Sequence, residues 1–229
     1  MRKLFILCAV LLAIAGGASA QAVAHGVTLS STTNATSYTS GSFTPASGDL
    51  LVVAVLGRQT LTRPGTLTDS QSGSWTQILA VDGSVTADTM YLFVRTTTVS
   101  ASSMTVTFDC TGDSATGAII FVARVSGLSR TGASAIRQYK TISAQAAATP
   151  AVTFDASTQT GNPTIAVTFN QTNPATLTEP SGWTERADTG FTGTTITWGS
   201  SSSSVWGALI VEMDASATGG AAARRMIVN

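Results

Sequence analysis

The chain has 229 residues, 12 Lys and Arg against 12 Asp and Glu, 10% charged residues and 43% hydrophobic ones. That balance gives no basic footprint for nucleic acid, whose binding needs clustered Lys and Arg to displace counterions. The chain holds a single histidine, His25, so sites built on two or three histidines are excluded.

Residues 1–20 read as a cleaved signal peptide. Arg2 and Lys3 form a basic start, Leu4 to Ile14 is apolar, and Ala18-Ser19-Ala20 gives the small-x-small pattern of a cleavage site. The apolar run falls short of the ~20 residues of a bilayer span, so no membrane span is expected in the mature chain. Losing Arg2 and Lys3 takes the basic count from 12 to ten against 12 acids, a slight acidic excess. Cys8 leaves with the leader and Cys110 remains alone. No internal disulfide can form, and this secreted chain (extracellular or periplasmic) must be held by its core.

From residue 21 the chain repeats short apolar or alternating runs bounded by Ser, Thr, Gly, Asp or Pro, the strand pattern. Leu50 to Leu56 is continuously apolar after Ser47-Gly48-Asp49, suiting a strand covered on both faces. Trp75 to Val81 places Trp75, Gln77, Leu79 and Val81 on one side. Met90 to Val94 is largely apolar, with Arg95 as its polar exit. Met104, Val106 and Phe108 alternate with Thr105, Thr107 and Asp109. Ala118 to Val125 is dense, interrupted by Arg124. Ser126 to Pro150, rich in Ser, Ala and Gln, carries the least order. Ile165, Val167 and Phe169 then alternate with polar partners, Ile196 and Trp198 alternate with Thr195 and Thr197, and Val205 to Val211 precedes Glu212.

Two stretches echo each other in the same order. Gly48-Asp49-Leu50 onward matches Gly161-Asn162-Pro163 onward, and Thr66-Leu67-Thr68-Asp69 matches Thr176-Leu177-Thr178-Glu179. Ser72-Gly73-Ser74-Trp75-Thr76 matches Ser181-Gly182-Trp183-Thr184, and Gly117-Ala118-Ile119-Ile120 matches Gly207-Ala208-Leu209-Ile210. The second copy is shorter and is expected to lack the hairpin holding Met104 to Phe108. The predicted fold is all-β: a single antiparallel β-sandwich, jelly-roll or concanavalin-like, built from an internal duplication. Its organisation is a signal peptide over 1–20, a sandwich over 21–215 with half-repeats at about 40–125 and 150–214, and a flexible tail over 216–229.

Chemistry is sparse. His25, five residues after the predicted cleavage point, sits in a loose start where a general base is poorly held. That leaves no histidine for Ser-His-Asp or Cys-His catalysis. No phosphate loop or paired-cysteine metal motif occurs. Asp69, Glu179, Glu185 and Glu212 are the acids available for a carboxylate pair. Asp69 and Glu179 precede Ser-Gly turns and read as turn caps, and Glu212 reads as the exit of a strand into solvent. Asp109 and Asp113 could offer oxygen ligands, but the calcium-loop spacing is absent, so neither cofactor nor metal is expected. Trp198, Trp206 and Tyr91 form the candidate ligand-binding set, as rings that could stack on a sugar; core packing is the alternative for all three.

Gly48 to Val55, followed by Asp69-Ser70-Gln71-Ser72-Gly73-Ser74-Trp75-Thr76, resembles uncharacterised β-sandwich proteins of bacteria and of tailed-phage structural gene clusters. The likeness covers about residues 40–125, with a fainter echo beyond. It implies a jelly-roll or concanavalin-like sandwich on an exposed surface and carries over no catalytic residue. The functional expectation is a non-catalytic exported surface or adhesion module binding glycan or another cell-surface ligand. The alternatives are a self-associating virion or cell-envelope subunit, and a carbohydrate-active enzyme using a carboxylate pair.

Overall fold

The computed structural model describes residues 21–58, 65–82, 88–110, 115–128, 130–147, 149–170, 177–178, 193–200, 204–214 and 225–228. Residues 1–20, read above as a leader, the phrase containing Trp183, and the acids Asp113, Glu179 and Glu185 lie outside them.

The described elements are strands, apart from one 3-10 turn at Gly132–Ala135. Before that turn come β1 (Ala22–Ser31), β2 (Ser37–Thr39), β3 (Leu50–Arg58), β4 (Thr66–Asp69), β5 (Trp75–Asp82), β6 (Asp88–Arg95), β7 (Val106–Asp109) and β8 (Ala118–Ser126). After it come β9 (Ile136–Ala147), β10 (Ala151–Thr153), β11 (Thr164–Asn170), β12 (Leu177–Thr178), β13 (Thr195–Thr197), β14 (Gly199–Ser200), β15 (Ser204–Met213) and β16 (Arg225–Val228). The first half forms a large sheet, β1-β8-β3-β6-β5, and a small one, β2-β7-β4. The second half forms β16-β11-β15-β9 with two short pairs, β10-β13 and β12-β14. Among the described residues, strand pairing is antiparallel except between β11 and β16.

Side chains alternate across a strand, so a strand with both faces covered needs apolar residues at every position. In β3, Leu50, Val52, Ala54 and Leu56 point to one core while Leu51, Val53 and Val55 point to another. The first set joins Met90, Leu92, Val94, Phe121 and Val125, and meets Ile165, Val167, Phe169, Leu209, Val211 and Met213 from the other large sheet. The second set packs under the small sheet on Tyr38, Leu67, Val106 and Phe108. On the far side of the second large sheet, Ala166, Ala208 and Ile210 pack against Val152, Phe154, Ile196 and Trp198.

The all-β, antiparallel sandwich architecture is therefore present, but with four layers where a two-layer sandwich was expected. Two sandwiches share the faces of their large sheets. Each fully buried branched or aromatic side chain contributes about 1.5–3 kcal/mol, so the shared central core is a major source of stability.

The halves repeat one pairing pattern. β8 lies between β1 and β3 as β15 lies between β9 and β11. Cys110 N donates to Thr36 O as Trp198 N donates to Pro150 O, both at 2.8 Å. Thr39 and Thr107 share a hydroxyl hydrogen bond of 2.9 Å, as do Thr153 and Thr195. Gly48 (φ 84°) and Gly161 (φ 95°) take the left-handed conformation at the turns entering the central strands. Each is followed by a buried Asp49 or Asn162 whose amide closes the turn.

This pattern corrects the expected omission. β7 has a counterpart in β13, so the segment around Met104 to Phe108 is kept. The length difference falls instead between Thr178 and Thr195, facing the stretch that holds β5 and β6. β16 takes the place beside β11 that β6 takes beside β3. The shared pairing pattern includes β1 and β9, which lie outside 40–125 and 150–214.

Other expectations change as well. Ser126 to Pro150 contains β9, which spans 12 residues. Its polar residues suit an edge strand, whose pattern is set by its partner β15 and not by burial on both faces. The loose start around His25 is part of β1, where His25 stacks on Phe121 with ring centroids 5.7 Å apart and its Nε2 shares a hydrogen bond with Thr28 Oγ1. Within the predicted tail, Arg225–Val228 pairs with Thr164–Val167, because a β-prone Met-Ile-Val run meets an open sheet edge. In β5 a bulge between Gln77 and Leu79 breaks the expected alternation. Trp75 packs on the outer core, while Ile78 and Leu79 both reach the central one.

Candidate functional site

The aromatic set divides. Tyr91, on β6, is 1% exposed, with its ring 5.9 Å from Phe93 and 5.1 Å from Phe108. Burial pushes its hydroxyl up to about 12, partly offset by hydrogen bonding with Thr89 and the Gly65 backbone. Trp198 is 0% exposed, sealed in the outer core of the second half. Neither ring offers a face to a ligand, since large aromatic area is most stabilising when taken out of water. Trp206 lies in β15 opposite Asn170 and Gln145, and its side chain is outside the described residues.

The acids Asp69 and Glu212 are both consumed structurally. Asp69, at the end of β4, has a fully buried carboxylate and an ion pair of 2.9 Å with the equally buried Arg95 Nε. It also accepts from Gln71 N at 2.8 Å, Gly73 N at 3.1 Å and Trp75 Nε1 at 2.8 Å. Arg95 in turn donates through Nη1 to Thr98 O at 3.0 Å. A Cβ on Gly73 would stand 2.0 Å from Arg95 Nε, so the Asp-Ser-Gln-Ser-Gly-Ser-Trp phrase closes around the guanidinium only with glycine there. The turn-cap expectation for Asp69 matches this geometry.

Glu212 departs from its expected role. Far from meeting solvent, it is 0% exposed. Asn162 Nδ2 donates to it at 2.6 Å and Gln159 N at 2.8 Å, and Gln138 Nε2 and Arg137 Nη1 complete the shell. The 156–162 loop folds over the strand end and supplies donors that an isolated strand would lack. A carboxylate saturated in this way is a pin between β9, β15 and the loop. Among the described residues, no three or more His, Cys, Asp and Glu side chains gather to hold a metal ion. Cys110 is buried in the outer core of the first half.

An open groove of about 680 Å³ runs along β9, lined by Ile78, Ile136, Arg137, Gln138, Tyr139 and Lys140 with Ala133, Thr141 and Asp155. Tyr139, 38% exposed, is the exposed large hydrophobic side chain among the described residues. Both cations in the groove are matched: Arg137 by Glu212, and Lys140 by Asp155 at 2.9 Å. The lining thus combines an aromatic platform, an aliphatic wall and neutralised polar groups that can donate and accept. Sequence reasoning missed Tyr139 because it stands in a polar stretch with no turn or repeat to mark it.

No protein-family model, curated protein or solved structure matches this chain.

Proposed function

We propose that the mature chain is an exported, non-catalytic surface module that recognises glycan through the β9 groove. The observation that carries this reading is the exposed Tyr139 ring in a groove whose lining also includes Lys140 and Asp155. A sugar presents an apolar ring face to an aromatic side chain and hydroxyls to paired donors and acceptors. The charge matching in the groove favours a neutral polyhydroxyl ligand over a strongly anionic or cationic one. Export itself rests on the leader-like residues 1–20. The test is a glycan array probed with the purified mature chain and with Tyr139→Ala. We expect binding to one glycan class, weakened about tenfold or more by the substitution, a loss of ~1.4 kcal/mol. The melting temperature should be unchanged. No signal from either protein would remove the glycan reading.

A structural reading has its own support. β9 is a long strand at the edge of a four-stranded sheet, and such edges template pairing with another chain. The sequence also resembles sandwich proteins of phage structural clusters. On this reading the chain is a virion or cell-envelope subunit that self-associates, and light scattering after size exclusion should show oligomers that grow with concentration. A strict monomer at high concentration would argue against it.

A further inference from the structure

The two cations of the β9 groove are held by carboxylates in different ways. Arg137 and Gln138 are consecutive, and consecutive side chains of a regular strand point to opposite faces. Here Met213 faces Ile136 and Glu212 faces Gln138, so Arg137 is the extra residue at a register shift. Both side chains then donate to the Glu212 carboxylate, which is 0% exposed. The neighbouring backbone holds them as well: Arg137 Nη1 donates to Ser157 O at 3.2 Å and Gln138 Nε2 to Ala156 O at 2.9 Å. Lys140 meets its partner at the rim, because the Asp155 side chain is 78% exposed.

The fold itself does not demand an acid at position 212. Three positions after Gly48, Leu51 pairs with Arg124; three positions after Gly161, Thr164 pairs with Glu212. The same place in the repeated pattern takes a cation in one half and an anion in the other. We propose that Glu212 and Asp155 are the specificity-determining residues of the groove, cancelling Arg137 and Lys140 and so excluding sulfated or uronic polysaccharides. This deepens the glycan reading and rests on it. Glu212 acts through Arg137 as a positioning residue and touches no ligand itself. An anionic polymer drawn to either cation meets a carboxylate beside it, and like charges brought together are unfavourable. The exposed pair is weakened by salt, whereas the buried carboxylate under Arg137 is screened much less. Glu212 therefore holds the larger share of the neutrality. Without its charge, Arg137, whose side chain is 24% exposed, is an uncompensated cation in the groove wall.

The experiment measures binding of the purified chain to dextran sulfate, with unsulfated dextran as the neutral control for the sugar backbone. Glu212→Gln and Asp155→Asn should each bind dextran sulfate about fivefold more tightly than the unsubstituted chain at ~0.1 M salt. The gain should vanish at ~1 M, where the Debye length is ~3 Å. Asp109→Asn changes the net charge equally from β7, in the small sheet of the first half, and should bind no more tightly. Adding Arg137→Gln to Glu212→Gln should abolish the gain, a result that a merely structural role for Glu212 does not produce. A folded Glu212→Gln with no gain overturns the inference. If that variant does not fold, Asp155→Asn decides: a gain no larger than that of Asp109→Asn overturns it. Failure of the glycan reading is a silent glycan array; failure here leaves the array signal intact and removes only the gain for dextran sulfate.

Discussion

Asp69 and Arg95 show how a surface-looking sequence phrase becomes interior chemistry. Both side chains are almost wholly buried, and the carboxylate is satisfied by two backbone amides, an indole and the guanidinium. Breaking such a pair from one side leaves a buried charge without compensation, a loss of about 3–5 kcal/mol. Asp69→Asn should therefore lower the urea midpoint strongly, and equilibrium unfolding will measure it. The turn role of Asp69 was legible from its place before Ser-Gly; the arrival of Arg95 from a strand 26 positions away was not.

Tyr91 makes a pH-dependent prediction. Its hydroxyl ionises at 10.0 when unfolded and at about 12 in the fold, because burial disfavours the charged form. Below pH 10 both states hold the proton and the contribution is intact. As pH rises from 10 towards 12, the unfolded state loses its proton first, and about 3 kcal/mol of stability is progressively lost. Tyrosinate absorbance followed alongside unfolding from pH 9 to 12 should show the two changes moving together. Tyr91→Phe should blunt the dependence.

Among the elements, β16 carries the clearest consequence. It covers one side of β11, whose described side chains from Thr164 to Phe169 are all buried. Truncation before Arg225 would open the edge of an apolar strand, the arrangement that promotes pairing between molecules. The truncated chain should form larger species by light scattering than the full chain does at the same concentration. The central strands β3, β8 and β15 were readable because burial on both faces demands nearly unbroken apolar runs, whereas β11 read as alternating although its Thr164 and Thr168 are buried as well. β9 was not, because an edge strand takes half its definition from its neighbour. The bulge in β5 was likewise hidden, since one extra residue alters the face assignment without altering composition.

For the molecule as a whole, the central core is contributed by both large sheets. Separating the halves would expose that face on each, and the second half would retain only the smaller outer core around Ile196 and Trp198. Residues 130–229 expressed alone should therefore fail to give a cooperative thermal transition and should bind a hydrophobic dye. Co-expression with residues 21–128 should restore the transition. A cooperative, dye-free second half would contradict this four-layer account.

The sequence by itself determined the strand class and the order of the repeated phrases, since each follows from local alternation and turn chemistry. Only the tertiary structure decided that Tyr91 and Trp198 are interior, that Glu212 is a buried pin and that Tyr139 lines a groove. Alternation tells which residues share a face, but not which of two faces meets another sheet and which meets water. That choice is made by distant segments packing together, and it separates a core aromatic from a binding one.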